Sequence, residues 1–109
     1  IVRVGSSVLG IGGEPVPDVY ALKQNYPNPF NPITKIQYQL PQDNIVKLSI
    51  YDIMGRKVKT LVNSTQSAGY KTIVWDATND QGSMVSAGMY IYTIEAGDFR
   101  KTKKMILLK

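Results

Sequence analysis

Catalysis in this sequence would have to run on carboxylates and hydroxyls, because its 109 residues contain neither histidine nor cysteine. That composition removes imidazole and thiol chemistry and the usual transition-metal ligands. The acids best placed for a reaction are Asp52, Asp76 and Asp80, and each has a turn position that explains it: Asp and Asn side chains bond their own loop backbone. Asp76, Asn79 and Asp80 offer oxygens for Ca²⁺, but the EF-hand spacing fails and no Glu follows at the required distance. No catalytic residue, cofactor or metal is therefore expected. Trp75, the only Trp, would be a sugar-stacking platform if exposed, but a lone Trp in a small β domain is more often core. Asn63-Ser64-Thr65 fits a glycosylation sequon, a three-residue pattern of little information.

Charge narrows the partners. Thirteen Lys+Arg against eight Asp+Glu give +5, yet Arg100, Lys101, Lys103, Lys104 and Lys109 supply all of that excess from the last ten residues. A neutral body with a basic tail argues against a broad nucleic-acid face. No apolar run approaches the ~18 residues of a membrane helix, and no basic-then-apolar leader follows Ile1. The chain reads as a piece of a longer one.

The elements that would position these residues are strands. Ile36, Tyr38 and Leu40 alternate with Lys35, Gln37 and Gln39, and Val46, Leu48 and Ile50 alternate with Lys47, Ser49 and Tyr51, the mark of half-buried strands. Pro41-Gln42-Asp43-Asn44 is a turn, and Asp52-Ile53-Met54-Gly55 sets Asp first and Gly fourth, as a type I turn prefers. Residues 56–62 fit a helical face too, through Val58, Leu61 and Val62, but a short run after a tight turn favours strand. Further strands are expected at 70–75, 89–96 and 99–108, with another near 20–24 and a two-residue hairpin turn at Gly97-Asp98. Spacings of about 8–12 residues with turn signals between them predict a small all-β antiparallel sandwich. Residues 1–19, with Gly10, Gly12, Gly13, Pro15 and Pro17, read as a linker or the end of a preceding domain.

Two segments remain. Asn28-Pro29-Phe30-Asn31-Pro32 contains a P-x-x-P that on paper would dock an aromatic groove, though Tyr26 and Phe30 are better read as anchors stapling this stretch to the sandwich. Met105-Ile106-Leu107-Leu108 is apolar on both faces of any strand and is bracketed by Lys104 and Lys109. It is expected to complete the core, and also to offer an edge for strand addition by a partner. Tyr90, after the Ser86-Ala87-Gly88 turn, is placed to bond backbone as in a tyrosine corner.

Tyr26-Pro27-Asn28-Pro29-Phe30-Asn31-Pro32, then Ile36-x-Tyr38-x-Leu40-Pro41, Ile50-Tyr51-Asp52-x-x-Gly55-Arg56-x-Val58, Trp75-Asp76, Gly88-x-Tyr90 and Lys104 to Lys109 closely resemble the type A C-terminal sorting domain of type IX secretion cargo. The same blocks are similar to the immunoglobulin-like domain of flagellar hook-capping proteins. The resemblance implies an all-β immunoglobulin-like sandwich of about seven strands over residues 20–109. It implies a non-catalytic address that takes a larger bacterial protein through the periplasm to the cell surface or outside. The partners it implies are the outer-membrane secretion machinery and an upstream cargo domain of the same polypeptide, with no nucleic acid and no transmembrane segment. Carried over by position, the recognition residues are Gly88, Tyr90, Gly97, Lys104, Met105, Ile106, Leu107, Leu108 and Lys109, and the structural motif comprises Tyr26, Pro27, Pro29, Phe30, Asp52, Gly55 and Trp75. Ala77 departs from the pattern, where similar domains carry Gly after Trp-Asp. The competing reading is a structural spacer or accessory β-sandwich domain of a secreted multidomain enzyme, with or without a carbohydrate contact.

Overall fold

Period-two patterning becomes seven strands in the computed structural model, which describes residues 15–108. They are β1 (Ala21–Leu22), β2 (Thr34–Leu40), β3 (Asn44–Asp52), β4 (Lys57–Gln66), β5 (Gly69–Trp75), β6 (Gly88–Ala96) and β7 (Phe99–Leu107). A three-stranded sheet in the order β1-β2-β5 faces a four-stranded sheet in the order β4-β3-β6-β7, with all pairings antiparallel. This is an all-β, immunoglobulin-like sandwich. Residues 41–43 cross between the sheets instead of closing a hairpin, since β2 and β3 lie in different layers.

The alternating apolar residues meet between the layers. Ile36, Tyr38 and Leu40 from β2 face Val46, Leu48 and Ile50 from β3 and Tyr90, Tyr92, Ile94 and Ala96 from β6, all buried. Burying a side chain of this size is worth about 1.5–3 kcal/mol, so this set holds the domain together without a disulfide. Trp75 is part of it: its ring sits between Phe30 and Tyr90 at centroid distances of 5.7 and 5.4 Å, and its indole N–H donates to the carbonyl of Thr78 at 2.9 Å. Buried in this way, it presents no face to a sugar.

β4 explains its own ambiguous pattern. Its register with β3 shifts between Leu48 and Ser49 and again between Ile50 and Tyr51, leaving Leu61 and Val58 as extra residues. Each bulge breaks the alternation of faces, so Val58, Leu61 and Val62 acquire helix-like spacing within a strand that runs on to Gln66.

The proline-rich stretch corrects one expectation. Phe30 is 1% exposed and anchors the segment as expected, but the Tyr26 ring is 79% exposed and anchors nothing. Tyr26 is fastened by its backbone, which exchanges two hydrogen bonds with Lys35 at 2.9 Å each, and that pairing turns its side chain outward. The peptide bonds before Pro27, Pro29 and Pro32 are cis. Phe30 is sealed in the core, while Pro29, Asn31 and Pro32 around it are exposed. The proposed linker 1–19 falls largely on residues 1–14, outside the described residues, as does Lys109.

Candidate functional site

The C-terminal strand is positioned by the β6–β7 hairpin. Ala96 pairs with Phe99 across Gly97-Asp98, and Gly97 takes a φ of +60°. It also lacks room for a side chain: a Cβ there would stand 2.5 Å from the Asn44 amide nitrogen. Gly88, at the far end of the same ladder opposite Leu107, has a φ of +148° that L residues rarely adopt. Tyr90, two residues on, donates its hydroxyl to the carbonyl of Ser86 at 2.6 Å. Burial, and secondarily the Asp52 charge, push its phenol above the ordinary value. Gly88, Tyr90 and Gly97 thus each have a structural reason to be what they are.

Along β7 the tail separates into inward and outward residues. Met105 and Leu107 are buried, whereas Ile106 is 39% and Leu108 50% exposed. Arg100, Lys101 and Lys104 are exposed and Lys103 half-buried. The apolar run that read as two-faced is therefore half core and half surface, with Ile106 beside Met89 in the ladder and Lys104 beside Ile91.

The structure contradicts the expectation that this tail offers a free edge. The outer side of β7 is covered by the chain's own lead-in to β2. Gln24 Nε2 donates to the carbonyl of Lys104 at 2.7 Å, and Asn28 Oδ1 accepts from the N–H of Ile106 at 2.9 Å. Phe30 then donates to the carbonyl of Ile106 at 3.0 Å and accepts from Leu108 N–H at 2.8 Å. With those groups satisfied, strand addition along Lys104–Leu108 would first have to displace residues 24–30.

That lead-in is itself held from the core. Asn25, buried, donates its backbone N–H to the Tyr92 hydroxyl at 2.8 Å, and the same hydroxyl donates to the carbonyl of Lys23 at 2.8 Å. Asn25 Nδ2 reaches Thr34 Oγ1 at 3.0 Å, and that hydroxyl donates to the carbonyl of Pro27 at 2.9 Å. Asn25, Thr34 and Tyr92 were not singled out from sequence. Their bonds link residues as far as 69 positions apart, and no local pattern marks them.

A second feature absent from the sequence reading is a groove of about 540 Å³ at the end of the sandwich where β7 finishes, lined by Ile53, Met54, Met84, Met89, Gly88 and Tyr90 among others. Met54, at 75% exposure, and Ile53 form the tip of the Asp52–Gly55 turn, closed by Gly55 N–H to the Asp52 carbonyl at 3.0 Å. An Ile-Met pair at the centre of a tight turn, where polar residues are usual, was the available signal.

The acids are committed to loops. Asp52 Oδ1 accepts from the N–H groups of Met54 and Arg56 at 2.9 Å each, and its Oδ2 from Arg56 Nε at 2.9 Å. The Arg56 backbone N–H leads the interactions that hold this carboxyl below the usual range. Asp76 accepts from Thr78 Oγ1 at 2.5 Å, the main cause of its own lowered pKa, and Asp80 Oδ1 from Thr60 N–H at 3.1 Å. Asn79 Oδ1 accepts from the N–H groups of Gln81 and Ser83. Among the described residues no three His, Cys, Asp or Glu side chains gather where they could hold a metal ion, and no helix is long and apolar enough to cross a membrane.

Two packed antiparallel sheets of three and four strands, with Trp75 buried between Phe30 and Tyr90, place the chain in the immunoglobulin-like class. The family model for the FlgD Ig-like domain matches residues 32–98, more than half of the chain, and the chain belongs to that family. Among solved structures, dimeric latent PorU from Porphyromonas gingivalis aligns over 78% of this chain and 9% of its own, with 24% identity and a TM-score of 0.63. PorZ from the same organism, described as an essential bacterial surface component of the type IX secretion system, aligns over 84% of this chain and 12% of its own, at 18% identity and TM-score 0.55. At these identities the likeness is one of fold, and the chain spans about a tenth of either protein. No curated protein matches the chain.

Proposed function

We propose that this domain is a non-catalytic C-terminal sorting module of type A, read by type IX secretion machinery and carrying an upstream cargo domain to the bacterial surface or beyond. The observation that carries the reading is the division of the tail: Met105 and Leu107 lock β7 into the core while Arg100, Lys101, Lys104, Ile106 and Leu108 stay exposed. A receptor can therefore read the strand's outer face without unfolding the domain. The membership in the FlgD Ig-like family, the block pattern from Tyr26 to Lys109, and the fold shared with a type IX component support the same reading. The reading assigns no catalytic role to Asp52, Asp76 and Asp80, each of which accepts hydrogen bonds from its loop or its neighbours.

The test fuses the 109-residue chain to the C-terminus of a periplasmic reporter in a bacterium that has a type IX system. Reporter is expected at the cell surface or in the medium of that strain, and retained in a strain lacking the translocon. Equal release from both strains, or retention in both with the reporter folded, contradicts the proposal.

A further inference from the structure

The two open sheets have four edges, and three are blunted in the ways β proteins use against unwanted pairing. The outer side of β7 is covered by residues 24–30 from Lys104 to Leu108, and its first half carries the cations Arg100, Lys101 and Lys103. β4 carries two bulges and is bonded by the loop between β5 and β6, through Asp80 N–H to the Val58 carbonyl and Thr60 N–H to Asp80 Oδ1. β1 is two residues long. The remaining edge, β5, has none of these protections. It pairs with β2 without a register shift from Thr34↔Trp75 to Leu40↔Gly69, contains no proline, and carries one charge, Lys71. Among the described residues no hydrogen bond reaches the other side of its backbone. Its outward side chains, Tyr70, Thr72 and Val74, are exposed.

We propose that β5 pairs antiparallel with β5 of a second copy of this chain, about a two-fold axis through Thr72. The strand is self-complementary in that register. Tyr70 stands opposite the partner's Val74, an aromatic and β-branched pair of the kind that stabilises cross-strand neighbours. Lys71 stands opposite the partner's Ile73, so no like charges face each other. An axis moved one residue to Lys71 would set lysine against lysine. Lys35 flanks Val74 in β2, and no cross-strand row of β2 and β5 residues in the joined sheet then holds more than one cation. The contact is isologous and closes at two copies. It joins two three-stranded sheets into one of six, through a small interface of the weak, concentration-dependent class.

Because the chain has no cysteine, Thr72→Cys in the full 109-residue chain places a single thiol at the axis. Paired residues there would have Cα atoms about 4.5–5.5 Å apart, within disulfide reach. Oxidation is expected to give covalent dimer at least about tenfold faster than for Thr65→Cys, an exposed site on β4, because association raises the local thiol concentration. The unmodified chain should sediment as a monomer–dimer equilibrium, and Thr72→Lys as monomer with an unchanged melting temperature. Equal cross-linking at the two sites overturns the proposal. So does a monomeric parent chain at millimolar concentration, as expected if residues 1–14 or a foreign strand occupy the edge, or a dimer that survives Thr72→Lys.

Discussion

The two halves of β7 belong to one strand and one ladder, yet they are built for different tasks. From Phe99 to Lys104 its polar and cationic side chains look outward or sit at the sandwich margin, and Arg100 pairs with exposed Glu95. From Met105 to Leu107 the inward residues have no exposure to speak of, and the backbone edge is sealed by Asn28 and Phe30. Alternation gives one face of the strand to the core and leaves the other exposed, so the proposed sorting signal would be at once part of the fold and legible on its surface. It also changes how the proposed signal should be probed, since deleting residues 100–109 removes a core strand along with the exposed face.

The comparison breaks most visibly at adjacent positions. Leu107→Ala is expected to cost about 2–5 kcal/mol, the range for emptying a buried leucine site, whereas Ile106→Ala, one residue away on the outer face, should cost under about 1 kcal/mol. Urea denaturation of the two variants measures the contrast, and similar losses would mean that the strand is not split by face.

Next in size is the cover on the sealed half. Tyr92→Phe leaves Asn25 N–H and the Lys23 carbonyl without their buried partner and should cost about 1–3 kcal/mol. The same hydroxyl sets an alkaline limit. Burial pushes the Tyr92 phenol up to about 12, against some relief from the Asn25 N–H. The folded state thus holds this proton more tightly than the unfolded chain, whose phenol titrates near an ordinary value of about 10. The corresponding stability is complete below about pH 10 and is lost as pH rises through about 12. Tyr38 and Tyr90 are shifted in the same direction. Equilibrium unfolding at pH 8 to 12 should show a smaller decline for Tyr92→Phe than for the parent chain.

The smallest effect belongs to the exposed half. Glu95→Gln removes the surface pair with Arg100 and should change stability by about 0.2–1 kcal/mol, less at high salt. Thermal melts at low and high ionic strength check it.

How much of this could be read from sequence follows from the range of the interactions involved. The alternation at Ile36–Leu40 and Val46–Ile50, the Gly97-Asp98 turn and the Asp52–Gly55 turn are local, and the structure has each where the pattern placed it. β4 was ambiguous for a local reason as well, since two bulges shift its side chains out of phase. The sealing of the β7 edge was illegible, because Asn28 and Ile106 lie 78 residues apart and nothing in either neighbourhood announces the other. Tyr26 misled for a related reason: aromatic character suggested an anchor, but backbone pairing with Lys35 decided which way the ring points. The Ile53-Met54 turn is apolar in the sequence itself, but the groove it borders is lined by residues from Asp52 to Tyr90, which no local pattern brings together.

The most direct measurement of the central claim is export of a reporter fused to the chain with the outer face of β7 rewritten by Arg100→Glu, Lys104→Glu and Ile106→Ser, all exposed positions. Lys101, which shares the inward face with Met105 and Leu107, is left unchanged in this variant, and loss of surface-exposed reporter is expected from a domain whose β content and Trp75 fluorescence match those of the parent. Undiminished export of that folded variant would contradict the account.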